Sequence, residues 1–363
     1  MIDRNLLGNI DWTLIFLLLL NSAIGVVFIY SCSHDSPGNY YLKQTLWIIF
    51  SLVALFLFLL IDYKVLVTYS IYLYFVIIFI LGGILIFGRF LKGAKSWIVF
   101  PFFHAQPSEI TKIILILVLA SIFSEFKMNH LSWGKGIFSS GVVGLPFFLV
   151  ALQPDLGTAA SYIPIFLAST ILAGLNRKTV IFLLIISLTL GFLGWNFVLK
   201  DYQKKRLTTL IFPSQDPLGS SYHITQSKIA VGSGGLLGKG YKKGTQSQLR
   251  FLPARHTDFI FSVIGEEVGF MGVAFAIGFY FLFLLRLFKS VGQSRDRAGV
   301  YLIFMVTVMI TFQFMINVMM VIGLFPITGI PLPLYSYGGS SLLANFLGIS
   351  LVLNVKMRRF VNV

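Results

Sequence analysis

Only 11% of this 363-residue chain is Asp, Glu, Lys or Arg, so the few ionisable residues set against the apolar pattern stand out. Asp258 is the first. It lies in Arg255-His256-Thr257-Asp258-Phe259-Ile260-Phe261, a lone carboxylate entering an apolar run directly after a long basic loop. A carboxylate so placed can accept a proton, ligate a cation, or cap the helix that follows. Glu109 and Lys112 form a second group, three residues apart and therefore on one helical face. Lys112 lies about one turn inside an apolar run, where an ionised side chain costs about 2.5–3.5 kcal/mol and calls for a partner. Asp155, in Gln153-Pro154-Asp155-Leu156-Gly157-Thr158, could complete a buried Glu–Lys–Asp network or simply cap the next helix. Spacing leaves structural and catalytic roles open for this cluster.

Other polar features carry less. Glu266 and Glu267 are adjacent, so their side chains diverge and make a poor carboxylate pair; packing and gating are both open to them. Gly232-Ser233-Gly234-Gly235 and Gly238-Lys239-Gly240 suggest a phosphate loop, but serine occupies 233 and glycine replaces the final Ser/Thr, so no nucleotide site is implied. Turns are the better reading, although backbone N–H groups in such turns can hold a phosphate. His223 and His256 lack a metal-ligand pattern, and Cys32, the sole cysteine, excludes an intrachain disulfide. No motif points to nucleic acid.

The elements that must position these residues are helices in a membrane. Hydrophobic residues make up 57% of the chain and mean hydropathy is +0.87, which excludes an ordinary soluble domain. A hydrocarbon core needs roughly 20 apolar residues per helix. Ten runs fit, near 12–31, 45–61, 66–87, 108–124, 136–152, 157–175, 179–199, 258–285, 299–322 and 338–355. The expectation is an all-α polytopic membrane protein, one domain over 1–363, with no strand-like alternation and one large extracytoplasmic loop at 200–257. The first run has no small-residue cleavage site and reads as a retained span.

Net charge is +15, and its distribution sets the orientation. Lys356, Arg358 and Arg359 at the C-terminus, with Arg286, Lys289, Arg295 and Arg297, argue that both termini are cytoplasmic. The large loop holds ten Lys/Arg against Asp201 and Asp216; without it, 13 basic residues lie inside and 5 outside. A loop that opposes the insertion bias implies that its charge meets something anionic, either a ligand or lipid headgroups. Under this topology the motifs at 93–97, 106–112, 153–158, 255–258, 328–333 and 336–341 all fall on one face, as a single site would require.

The segments Gly244-Thr245-Gln246-Ser247-Gln248-Leu249, Phe251-Leu252-Pro253-Ala254-Arg255-His256-Thr257-Asp258, Gln153-Pro154-Asp155-Leu156-Gly157-Thr158 and Ser336-Tyr337-Gly338-Gly339-Ser340-Ser341 closely resemble the SEDS family (shape, elongation, division, sporulation). The similarity spans essentially the whole chain. Thr245–Leu249 and Gly329–Pro333 look more like its elongation branch than its division branch. Ala254 departs from the pattern, since Glu is common there. The resemblance implies a ten-helix peptidoglycan glycosyltransferase of the bacterial cytoplasmic membrane that polymerises lipid II on the extracytoplasmic side. It also implies partners: a class B penicillin-binding protein, the elongation machinery and membrane lipids. Asp258 matches the family's essential aspartate; Glu109, Lys112 and Asp155 match its intramembrane charged cluster.

Polymerising lipid II needs one base and a cationic environment, since pyrophosphate is already a good leaving group; this differs from the two-carboxylate glycosidase scheme. On this reading Asp258 is the base or a metal ligand, and Arg206, Lys239, Lys243 and Arg255 are candidates to bind the pyrophosphate, with a divalent magnesium or manganese ion as a candidate cofactor. Arg255 and His256, beside Asp258 in sequence, could lower its pKa, while desolvation would raise it. A lipid II flippase, with the intramembrane charges lining a path, and a non-catalytic scaffold for the crosslinking enzyme are the rival readings.

Overall fold

The computed structural model describes residues 8–359 apart from 37, 92–93, 101–103, 125–132, 175–180, 182–195, 197–200, 212–218 and 253. In chain order the elements are α1 (Trp12–Ser33), α2 (Tyr40–Leu60), α3 (Tyr63–Thr68), α4 (Ser70–Phe87), β1 (Arg89–Leu91), β2 (Ala94–Val99), β3 (His104–Ala105), α5 (Pro107–Ser124), α6 (Trp133–Leu152), α7 (Leu156–Ala160), α8 (Tyr162–Leu172), α9 (Asp201–Ile211), α10 (Ser220–Ser233), α11 (Thr245–Gln248), α12 (Ile260–Val291), α13 (Arg297–Val321) and α14 (Gly339–Arg358). Among the described residues eight helices are long and apolar enough to cross a membrane, and Leu156–Leu172 is a shorter apolar pair. The run expected at 179–199 lies almost wholly outside the described residues. One departure from an all-helical reading is small: β1, β2 and β3 form an antiparallel sheet in the segment between α4 and α5. These strands are only two to six residues long, too short to register as alternation.

Large apolar side chains such as Phe79 and Phe87 point outward, as lipid-facing surfaces require, while the helix interfaces bury polar groups. Those groups serve the helix ends. Where α2 stops and α3 begins, the Asn354 amide donates to the carbonyls of Ile61 (2.6 Å) and Phe58 (3.3 Å), and its oxygen accepts from Tyr63 N–H (3.2 Å). The Lys95 ammonium donates to Leu85 O (2.7 Å) and Ile86 O (3.1 Å) at the end of α4. Such bonds satisfy carbonyls that a terminating helix leaves without partners.

At the opposite end of the bundle from the site, Asp11 joins three helices. It caps α1 by accepting from Leu14 N–H (3.2 Å), takes Arg286 of α12 through two bonds (2.8 and 2.9 Å), and pairs with buried Lys356 of α14. Replacing Asp11 with Leu leaves Lys356 buried without its counter-ion, an arrangement that costs about 3–5 kcal/mol. Thermal unfolding in detergent should show a large loss for Asp11→Leu and a smaller one for Asp11→Leu combined with Lys356→Met. Equal losses would mean that Lys356 is not held by this pair.

Candidate active site

A cavity of about 410 Å³ opens at one end of the bundle. Its walls come from segments far apart in sequence: Gln106 and Glu109 at the start of α5, Pro154 to Thr158, Arg206 on α9, Thr257 and Asp258, Phe325 to Gly329, and Tyr337 to Ser341. The gathering of polar motifs at one face, expected from the topology, is thus what the structure places around a single space.

Asp258 is half-buried in this wall and precedes α12 without capping it; Phe259 holds the cap position, with no side-chain bond. The backbone around it is fixed from three directions. The Asn317 side-chain amide, buried in α13, donates both to Asp258 O (3.0 Å) and to Ile330 O (2.9 Å). Ser336 donates to Thr257 O (2.5 Å) and accepts from Leu332 N–H (2.9 Å). Tyr337 N–H donates to His256 O (2.9 Å). The irregular segment 323–338 is itself secured to α2 by Gln44, which donates to Ser336 O (3.1 Å) and accepts from Gly338 N–H (3.2 Å). Irregular backbone at this depth survives only with such partners. The Asp258 carboxylate faces Gly329, where an added Cβ would sit 3.9 Å from its Oδ2.

Glu109 and Lys112 form an ion pair of 2.6 Å, both almost fully buried, as their spacing required. Asp155 joins this region by a different route from the one expected. Its Oδ2 accepts from Gln106 (2.6 Å), and its Oδ1 caps α7 through Thr158 N–H (3.2 Å), so the link to α5 runs through an amide in place of the lysine. Burial pushes the Asp155 carboxyl above the usual carboxylate range, against the bonds from Thr158 and Gln106, and the charge of Glu109 adds to the rise. Close packing holds the α7 segment against the loop opposite: a Cβ added at Gly157 would meet Thr328 O at 2.2 Å.

Of the four cations assigned to an anionic ligand, the cavity receives one. Arg206 lines it and donates to Ile327 O (3.4 Å). Lys239 instead pairs with buried Glu266 (2.8 Å) and donates to Thr245 (2.7 Å). Lys243 is exposed and lies outside the cavity wall. Arg255 is buried with its guanidinium on Ser247 O, and burial pulls its pKa below arginine's ordinary value. The His256 ring stacks on Tyr40 with centroids 4.2 Å apart. Neither Arg255 nor His256 lines the cavity beside Asp258. The reason is local: Glu266 and Glu267 diverge as expected, and Glu266 accepts from Gln246 N–H (2.8 Å), Ser247 N–H (3.1 Å) and Lys239, so loop charge is used to fasten the loop to α12. The N–H groups of Lys239 and Gly240 donate to Glu266 O and Glu267 O, which removes them as a phosphate cradle.

Among the described lining residues, Glu109, Asp155 and Asp258 therefore face one cation, Arg206, with Lys112 neutralising Glu109 from behind. No three carboxylate, imidazole or thiolate side chains among the described residues converge to hold a metal ion. Sequence reasoning gave no part to Asn317 or Gln44, and included Gln106 only as part of the motif at 106–112. Asn317 and Gln44 carried a signal, being amides in or at the edge of apolar runs.

The family model described as "Cell cycle protein", covering FtsW, RodA and SpoVE, matches residues 11–360. The chain is 35% identical over 351 residues to the peptidoglycan glycosyltransferase MrdB of Escherichia coli K12, covering 97% of this chain and 94% of that one. Among solved structures it is similar to RodA, the rod shape determining protein of Thermus thermophilus, at TM-score 0.72 and 27% identity, covering 97% of this chain and 98% of that one. It is also similar to a chain of a peptidoglycan synthase complex that coordinates polymerization and crosslinking, at TM-score 0.82 and 29% identity, with the same coverage.

Replacing Asn317 with Leu strips a donor from two carbonyls at once, at about 1–3 kcal/mol for each one left buried and unsatisfied. A lowered unfolding midpoint, with faster proteolysis between 323 and 338, is the expected result. An unchanged midpoint and cleavage pattern would mean that the Asp258 turn is held by other contacts.

Proposed function

The chain belongs to the cell cycle protein family of FtsW, RodA and SpoVE, and on that premise we propose that Asp258 is the general base of a lipid II polymerase whose active site is the cavity described above. The protein is a multi-pass membrane protein and a peptidoglycan glycosyltransferase of the cell-elongation type. The observation that carries the residue assignment is that a half-buried carboxylate, fixed through Asn317 and Ser336, shares one space with Arg206.

In the reaction, the 4-hydroxyl of the acceptor GlcNAc loses its proton to Asp258 as its oxygen attacks the donor's anomeric carbon. The bond from that carbon to the pyrophosphate oxygen breaks on the opposite face, and undecaprenyl pyrophosphate leaves with the electron pair. The α-linked donor thus gives a β-1,4 product in one inverting displacement, without a covalent enzyme intermediate. Arg206 meets the growing charge on the pyrophosphate. Asp155 and Thr158, both bonded to Gln106, hold α7 against the start of α5, while the Glu109–Lys112 pair balances charge within α5. With both termini cytoplasmic, the cavity opens on the extracytoplasmic side, where a class B penicillin-binding protein crosslinks the product.

Labelled lipid II supplied to the purified protein with a cognate class B partner should yield glycan chains. Asp258→Asn, which keeps size and removes the base, should lower the rate by about 10²-fold or more, within the range expected for general-base loss. Arg206→Ala should slow turnover while leaving the Asp258-dependent pH behaviour intact. Chains made at the parental rate by Asp258→Asn would exclude this assignment.

A further inference from the structure

The 32-residue helix α12 breaks at Gly269, whose backbone is non-helical (φ 63°, ψ −166°). In an unbroken helix Phe270 N–H would bond Glu266 C=O, and Met271 N–H would bond Glu267 C=O. Here all four groups are taken by one short turn of the large loop. Phe270 N–H donates to Gly235 O (2.8 Å) and Met271 N–H to Leu236 O (3.1 Å), while Lys239 N–H donates to Glu266 O (3.0 Å) and Gly240 N–H to Glu267 O (3.0 Å). The turn lies flush against the break, since a Cβ on Gly269 would sit 2.3 Å from Gly238 N. Its apex carries two consecutive leucines, Leu236 and Leu237, which are 70% and 81% exposed. Phe270 and Met271 beside them are exposed as well.

Two rulers give the depth of this apex. Arg286 of α12 pairs with Asp11 at the start of α1, which marks one membrane surface. Counting about 20 residues for the hydrocarbon thickness back along α12 from Arg286 reaches Glu266. Counting the same length along α1 from Asp11 reaches Ser31. Laid from the same ion pair, the two counts end side by side, where Ser31 donates to the Glu267 carboxylate (2.6 Å). Phe270 and Met271, with the leucines bonded alongside, therefore fall on the hydrocarbon side of that level. So does the contact of Tyr241, whose hydroxyl donates to Val27 O (2.9 Å), four residues short of Ser31. The Lys239–Glu266 pair sits at the boundary, and Lys243, four residues after Lys239, is exposed.

We propose that the Gly235–Gly240 turn is a re-entrant wedge seated in the site-side leaflet, with Leu236 and Leu237 in contact with the acyl chains of the bilayer. Non-helical backbone at membrane depth needs protein partners for its polar groups, and the four groups freed at the break each bond to the turn. The wedge ties the large loop, and through the first turns of α12 the Asp258 segment, to a fixed depth in the membrane.

Cys32 is buried, so single introduced cysteines can be spin-labelled in the full-length protein without removing it. Leu236→Cys and Leu237→Cys would be labelled, reconstituted in phosphatidylethanolamine–phosphatidylglycerol vesicles, and measured by power saturation with oxygen and with a water-soluble nickel chelate. Phe275→Cys, on the exposed face of α12, serves as the lipid reference and Lys243→Cys as the aqueous one. The expected result is oxygen accessibility several-fold above nickel accessibility at 236 and 237, matching Phe275. Nickel accessibility equal to that at Lys243 would place the turn in water and overturn the proposal. Protection from both reagents would show that protein, a second copy or a partner, covers the leucines, and would overturn it equally.

Discussion

A buried helix that stops, turns or breaks leaves backbone groups without partners, and in a membrane water is not there to supply them. Much of this structure answers that constraint with side-chain amides and neighbouring backbone. Asn354 serves the α2–α3 break, Asn317 serves Asp258 and Ile330, Gln44 serves Ser336 and Gly338, and Gln153 donates to Leu81 O (2.9 Å). At Gly269 the partner is a turn of the large loop. The carboxylate proposed as the base stands on irregular backbone whose carbonyls at His256, Thr257 and Asp258 each have a donor. The positional accuracy of Asp258 is then a by-product of hydrogen-bond satisfaction: the same Asn317 amide that prevents two orphaned carbonyls also fixes the distance between the Asp258 turn and the loop opposite it.

The electrostatics follow from the same economy of groups. A loop with ten basic residues invites the idea of a cationic funnel, yet Lys239 and Arg255 turn inward to hold the loop on α12 and on itself. Arg206, on its own helix, is the cation delivered to the cavity among the described lining residues. The wall is therefore richer in carboxylate than in positive charge, with Glu109 already matched by Lys112. On the proposed reading, such a site disfavours a free anion and favours a substrate anchored by its lipid tail, with Arg206 acting on charge that develops during bond breaking.

Much of the architecture was legible in the sequence because apolar length and charge placement are collective signals. The membrane class, the long spans, the diverging Glu266 and Glu267, and the Glu109–Lys112 pair all follow from periodicity and spacing. The gathering of distant motifs at one end follows from counting spans. What spacing could not give was the direction of individual side chains: nothing local says that Lys239 meets Glu266, 27 residues later, or that Asp155 meets α5 through Gln106. The cap position before α7 falls on Asp155 but that before α12 on Phe259, although the two aspartates look alike in sequence, because the turn before α12 is shaped by contacts with 317, 336 and 337. The short sheet between α4 and α5 and the break at Gly269 rest on pairings that a linear pattern does not display.

If Asp258 takes the acceptor's proton, the pH dependence of kcat/KM for labelled lipid II carries its signature. The rate should rise about tenfold per pH unit on the acid side and then level, as loss of a single base requires, with that limb absent from the residual activity of Asp258→Asn. A residual activity in Asp258→Asn that keeps the same acid limb would assign the titrating base to another group.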